Sequence, residues 1–174
     1  MFLTLINDSA KWVVTLTAGG VLLWHHNVDV SWSLLGSIVT VFLCKVLKKL
    51  LNLQRPKYAK KSDPGMPSSH ASSLAYLSVY LAIAWNPEHY LLAYLGLVLA
   101  ALLIPLRVIL GYHSVPQVLA GAALGAVSAA SWFLLGQMAF LPFLKANIRG
   151  QIYLALVMAG AVTSYMVLAF RKKR

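Results

Sequence analysis

Six apolar stretches, each close to the length that crosses a bilayer as a helix, leave this 174-residue chain little room to fold as anything but a membrane bundle. They run from Ala10 to His26, Val30 to Leu47, Ser69 to Trp85, Tyr90 to Leu110, Val115 to Leu135 and Ile152 to Phe170. Crossing roughly 30 Å of hydrocarbon takes about 20 helical residues. The first stretch is cleanly apolar only from Trp12 to Trp24, which suits a tilted or partly interfacial helix. Lipid offers no partner to an open backbone N–H or C=O, and the runs are too long and continuous for alternating barrel strands. The expected fold is therefore all-α: a polytopic membrane protein, a bundle of six transmembrane helices forming one domain over residues 1–174.

Composition points the same way. Hydrophobic residues make up 60% of the chain and charged residues 11%, with a mean hydropathy of +0.74, outside the range of soluble domains. A net charge of +11 would suggest nucleic acid in a soluble protein. Here the cations sit in short segments beside apolar runs, a topological pattern, so no nucleic acid partner is expected. The single cysteine, Cys44, lies inside an apolar run as a packing residue and excludes disulfides and cysteine metal sites within one chain. The residues before the first run, with Asp8 and no small-residue cleavage pattern, do not read as a secretory signal. Asn7-Asp8-Ser9 matches a glycosylation acceptor, a pattern common by chance and here very close to the first span.

Between the spans, Asn27 to Asp29 and Asn86 to His89 read as tight turns, Lys48 to Met66 as a long polar loop, and Gly136 to Gly150 as a second loop carrying Pro142, Lys145 and Arg149. Gly121 and Gly125, with Ala122, Ser128 and Ala129 nearby, form a small-residue surface for close helix approach, inside or between protomers. Trp24, Trp32, Trp85 and Tyr90 near span ends suit interface anchors, and Pro105 a kink in span four.

Six spans also predict sidedness. Lys48 to Pro56 follows span two, Pro67 to His70 opens span three, and Arg107 to His113 joins spans four and five, so all three polar segments emerge on one face. Of the fifteen Lys and Arg, all but Lys145 and Arg149 fall on or near that face, which places it toward the cytosol or an equivalent compartment such as a plastid stroma.

These segments hold what phosphate chemistry requires. A phosphate monoester carries up to two charges, and its transition state spreads them over equatorial oxygens, so a site needs several fixed cations or a metal. Asp8, Asp29, Asp63 and Glu88 are scattered, with only Asp63 near the segments, and His25 and His26 fall on the face opposite His70 and His113. No metal and no cofactor is therefore expected. Without a metal, hydrolysis proceeds most easily through a covalent intermediate, with one side chain attacking phosphorus and another protonating the departing alcohol. His70 and His113 are the two histidines on the right face; His25, His26 and His89 read as structural.

Lys48-x6-Arg55-Pro56, Pro67-Ser68-Ser69-His70 and Arg107-x5-His113 resemble, in order and spacing, the three signatures of the type 2 phosphatidate phosphatase superfamily, the lipid phosphate phosphatases. The resemblance covers about Lys48 to Gly125, and the combination of all three is specific. It implies that His113 is the nucleophile that becomes phosphohistidine and that His70 is the general acid, and the base for incoming water. It also implies that Lys48, Arg55 and Arg107 hold the phosphate oxygens, joined by Ser68, Ser69 and backbone amides at the start of span three. Two positions depart from the family pattern: Ser69 stands where glycine is usual, and Leu106 and Gln117 stand where serine and aspartate flank the third signature. Gln117 can accept a hydrogen bond from the His113 ring but brings no charge, which predicts a less basic imidazole.

Gln117 together with Gly65 to His70 resembles the dolichyl diphosphatase branch and the plastid lipid phosphate phosphatases, and Lys61 to Met66 leans toward the plastid type. Dolichyl enzymes present their site to the endoplasmic reticulum lumen, whereas the charge bias here points away from a lumen. The resemblance therefore favours phosphatidate or a similar lipid monophosphate as substrate, drawn from membrane lipid in the plastid envelope, or else the endoplasmic reticulum or a bacterial inner membrane. A polyprenyl diphosphate is the alternative substrate. The competing classes are a non-catalytic membrane protein whose basic loop binds anionic headgroups, and a silent relative carrying Gln117.

Overall fold

A computed structural model describes residues 27–57, 59, 63–84 and 90–171. The first apolar stretch, the Asn7 acceptor, the Asn86 to His89 turn, Trp24 and Trp85 lie outside these residues. The described elements are all helical: α1 Val28–Leu51, α2 Ser69–Ala84, α3 Tyr90–Ile109, α4 Val115–Leu135, a π-helical turn Gly136–Phe140, α5 Leu141–Ala146 and α6 Ile148–Arg171.

Helix α1 begins where Asn27 Oδ1 accepts the amide of Val30 at 2.8 Å, with Asp29 in the first turn and Lys48 and Lys49 in the last, both charges matched to the helix dipole. It ends at Asn52, whose φ of 45° turns the chain while its amide still bonds the Lys48 carbonyl at 3.1 Å. The expected Asn27 to Asp29 turn is thus a cap and the helix's first residues. Helix α3 runs through Pro105 to Ile109.

The Gly136 to Gly150 segment corrects the sequence reading. It is helical over most of its length, because Pro142 falls at a helix start, where no amide is needed, and because Leu141 and Leu144 bury against Trp32, Leu35, Leu154 and Met158. Trp32 is a second correction. It is 5% exposed, stacked on Trp132 at 4.6 Å and on Phe140 at 5.1 Å, so it is a core residue, not an interface anchor. The two indoles exchange hydrogen bonds, Trp32 Nε1 to the Trp132 carbonyl at 3.2 Å and Trp132 Nε1 to the Trp32 carbonyl at 2.9 Å. That satisfies both polar handles inside an apolar core.

The small-residue surface of α4 is used within the protomer. A Cβ on Gly121 would collide with the Ser68 carbonyl, and one on Gly125 with the Ser72 carbonyl, so glycine lets the backbones of α2 and α4 touch. Ala129 and Tyr76 are fully buried along the same seam.

Large apolar side chains point outward, among them Val46, Leu99, Leu102, Val127, Leu134 and Leu156. A surface this apolar is matched to lipid rather than water. Two helical segments, Val28–Leu51 and Val115–Ala146, are long and apolar enough to cross a membrane, and α3 contains a shorter apolar helix, Ala93–Ile109. The bundle has two distinct ends. Asp29 at the start of α1 pairs with Lys145 of α5 at 2.8 Å at one, while the end of α1, the start of α2 and the α3–α4 connection meet at the other.

Candidate active site

The third polar segment is shaped by how α3 stops. Gly111 adopts φ 71°, and the chain folds back so that the amides of Tyr112 and His113 both bond the Arg107 carbonyl, at 3.0 and 3.1 Å. The Arg107-x5-His113 spacing is therefore one closed helix C-terminus. The Arg107 guanidinium lies over the Tyr112 ring, 4.4 Å from its centroid. Sequence reasoning missed Gly111, although a glycine just after an apolar run is a helix-stop signal.

His113 is 2% exposed and Gln117 5%. Gln117 reaches back one turn from α4, where its Oε1 lies 3.2 Å from His113 Nδ1 and accepts the Ser114 amide at 3.2 Å. Its Nε2 donates to the Gln54 carbonyl at 2.7 Å. Only the amide nitrogen can bond that carbonyl, so the oxygen must face the ring, Nδ1 must carry the proton, and Nε2 keeps its lone pair. The expectation that Gln117 accepts from Nδ1 matches this geometry. Gly65 makes room for it: a Cβ there would stand 2.5 Å from the amide nitrogen of Gln117. The Gly65 amide in turn bonds the Leu53 carbonyl at 2.7 Å, which ties the long loop shut.

Arg55 lies over the face of the ring, its Nη1 within 3.5 Å of Nδ1 as well as near Nε2. Its Nη1 donates to the Tyr112 carbonyl at 2.8 Å and lies 3.0 Å from His113 Nε2, while Nε donates to the Asp63 carbonyl at 2.9 Å and Nη2 sits 3.3 Å from Asp63 Oδ1. Lys48 Nζ donates to the Pro64 carbonyl at 3.1 Å, beside Gly65. Burial, then the positive charges of Arg55, Lys48 and Arg107, push the His113 pKa down from 6.5 to about 3, against a smaller upward pull from the Gln117 bond. His113 is therefore neutral at pH 7.

The second segment meets the third through the backbone. The Ser68 amide donates to the Gln117 carbonyl at 2.9 Å, placing His70, two residues on, at the same bundle end as His113. That bond commits the Ser68 amide, so the expected phosphate contact from Ser68 is left to its hydroxyl, which is fully buried and has no hydrogen-bond partner among the described residues. Ser69 Oγ accepts from Cys44 Sγ at 3.4 Å, and Cys44 also lies 3.6 Å from the Pro67 carbonyl. Cys44 thus packs α1 under the segment, as its apolar setting implied. Lys48, Arg55, Ser68, Ser69, His70, Arg107, His113 and Gln117 all belong to this end of the bundle; His25, His26 and His89 lie outside the described residues. Among the described residues no group of three or more His, Cys, Asp or Glu is placed to hold a metal ion.

The arrangement gathers the positive charges of Arg55, Lys48 and Arg107 about a neutral, buried imidazole. The chain is 34% identical over 177 residues to "Lipid phosphate phosphatase epsilon 1, chloroplastic" of Arabidopsis thaliana, covering 97% of this chain and 63% of that protein. It is 34% identical over 167 residues to "Lipid phosphate phosphatase epsilon 2, chloroplastic" of the same plant, covering 92% and 58%. The chain thus spans about three-fifths of the length of these relatives. The crystal structure of the first transmembrane PAP2-type phosphatidylglycerolphosphate phosphatase from Bacillus subtilis superposes with a TM-score of 0.65 at 24% identity, over 79% of this chain and 76% of that one, a likeness of fold. The sequence profile of the PAP2 superfamily matches residues 29–141, a span that takes in all three polar segments and well over half of the chain, and this chain therefore belongs to the PAP2 superfamily.

Proposed function

We propose that this protein is a membrane-embedded, metal-independent lipid phosphate phosphatase that hydrolyses phosphatidate or a similar lipid monophosphate through a phosphohistidine. One observation carries the reading: His113 has its Nδ1 proton engaged by Gln117, and its unprotonated Nε2 lies 3.0 Å from the Arg55 guanidinium, a cation beside which a phosphate would be drawn. In the proposed reaction Nε2 attacks phosphorus, the P–O ester bond breaks, and the departing alkoxide takes a proton from His70. Water then gives a proton to His70 and attacks phosphorus, the P–N bond breaks, and inorganic phosphate leaves. Lys48, Arg55 and Arg107 hold the equatorial oxygens, with the Ser68 and Ser69 hydroxyls adding hydrogen bonds. Arg55 must move its Nη1 from His113 to an oxygen as substrate binds.

The relatives' names support a lipid phosphate as substrate. A basic loop that merely binds headgroups accounts for the exposed Lys57, but not for an arginine side chain only 6% exposed and set against a buried histidine ring. The proposal includes a single domain of six spans, with the site on the cytosolic or stromal side, since the described helices alternate in direction and Lys48, Lys49 and the exposed Lys57 lie at the site end. The test is phosphate release from phosphatidate in detergent with a chelator present, with lysophosphatidate and polyprenyl diphosphates assayed alongside. Wild type is expected to turn over a monophosphate fastest, and His113→Ala to lose roughly 10⁴-fold or more. Undiminished release by His113→Ala would remove the histidine nucleophile, and faster release from a polyprenyl diphosphate would reassign the substrate.

A further inference from the structure

Asp63 lies between the first and second polar segments and belongs to neither, yet it contacts Arg55 through both its carbonyl and its carboxylate. A buried guanidinium must satisfy a rigid fork of five donors, and which edge of the fork is occupied decides which edge is presented. In Arg55 the Nε and Nη2 edge is taken by one residue: Nε bonds the Asp63 carbonyl at 2.9 Å and Nη2 pairs with its carboxylate at 3.3 Å. Nη1 is thereby turned to the other side, onto the Tyr112 carbonyl at 2.8 Å and His113 Nε2 at 3.0 Å. The pairing is asymmetric in exposure, with the Arg55 side chain 6% and the Asp63 side chain 34% exposed. The arginine is locked inside the site while the carboxylate holds it from the rim. Of the other carboxylates, Asp29 sits at the opposite bundle end with Lys145, and Asp8 and Glu88 lie outside the described residues.

We infer that Asp63 is a positioning residue, which holds Arg55 by one edge so that the opposite N–H group is aimed at the oxygens of the bound phosphoryl group. This deepens the phosphatase reading and rests on it for the identity of the ligand. The pairing offsets the conformational freedom that an arginine would otherwise lose on gripping an anion, so its effect belongs in binding more than in the chemical step.

The experiment compares wild type, Asp63→Asn, Asp63→Glu, Arg55→Lys and the Arg55→Lys/Asp63→Asn double variant in detergent. Inorganic phosphate and orthovanadate binding is read from their protection against thermal unfolding, which needs no turnover, and KM and kcat are measured on phosphatidate. Asp63→Asn is expected to weaken phosphate binding and raise KM by about tenfold, with kcat changed less than about threefold and the unliganded Tm unmoved. Asp63→Glu is expected to recover part of the loss. In the Arg55→Lys background, where edge-on pairing is already gone, Asp63→Asn is expected to add nothing. Unchanged or tighter anion binding by Asp63→Asn, or additive losses in the double variant, would overturn the inference. Phosphate binding that depends on Asp63 in a protein inactive on every lipid phosphate would instead leave Asp63 in place and remove the phosphatase reading.

Discussion

An imidazole attacks phosphorus only through a nitrogen that keeps its lone pair, and in His113 the choice between the two nitrogens passes through a side chain amide. Gln117 is pinned by the Gln54 carbonyl so that its oxygen, not its nitrogen, meets Nδ1. An aspartate would fix the same tautomer and add charge; glutamine fixes it without charge and leaves the ring under the full pressure of burial and three cations. Lowering of a histidine pKa to about 3 means the proton is already absent at neutral pH and returns only in strong acid. Ring nitrogen NMR of ¹⁵N-histidine protein, with His113 assigned by its loss in His113→Gln, is expected to show Nδ1–H and an unprotonated Nε2 down to about pH 4.5. Protonation near pH 6.5 would contradict this. Gln117→Ala is expected to lower kcat/KM by roughly 10–100-fold with little change in KM, the size typical of losing a residue that orients a catalytic imidazole. Unaltered turnover would dismiss the orienting role. The polar residues of the site were legible from their spacing, but the contacts of Asp63, Gly111 and Gly65 were not, because each is made through a backbone angle or an atom that only the folded chain brings near.

The α2–α4 seam sets how the second segment meets the third. The glycine pair was readable as a close-packing surface, whereas its partner was not, since a small-residue stripe fits a neighbouring helix of the same chain or of another. In the structure Gly121 lies on the Ser68 backbone, whose amide bonds Gln117, so helix spacing and site geometry are one contact. Gly125→Val is expected to destabilise by about 1–3 kcal/mol through backbone collision with Ser72, lowering both Tm in detergent and activity. Gly160→Ala on α6 has open space around the new methyl, so it is expected to be neutral or to raise stability by up to about 1 kcal/mol. Equal thermal unfolding of the two variants would discount the seam. The Gly136 to Gly150 segment shows the converse: Gly, Pro, Lys and Arg look like loop punctuation, but proline at a helix start breaks nothing, and burial of Leu141 and Leu144 outweighs weak local preference.

At the scale of the whole molecule, sidedness is open to a direct measurement, because the single native thiol is fully buried. A cysteine placed at the exposed Lys57 position reports the site end, and one at the exposed Asn147 position reports the opposite end. With a membrane-impermeant maleimide on intact cells, Asn147→Cys is expected to react at once and Lys57→Cys only after permeabilisation; the reverse order would turn the protein over. The order and length of the apolar runs already specify a helical, membrane-bound chain whose three polar segments share one end. Apolar length, backbone hydrogen bonding in lipid and the alternation of helix direction allow little else. Folding alone reveals that Gln117 bonds the Gln54 carbonyl beside His113, that Asp63 contacts one edge of Arg55, and that Trp32 is core. Those outcomes depend on which atoms lie within about 3 Å of one another across segments distant in the chain, a quantity that spacing along a sequence does not encode.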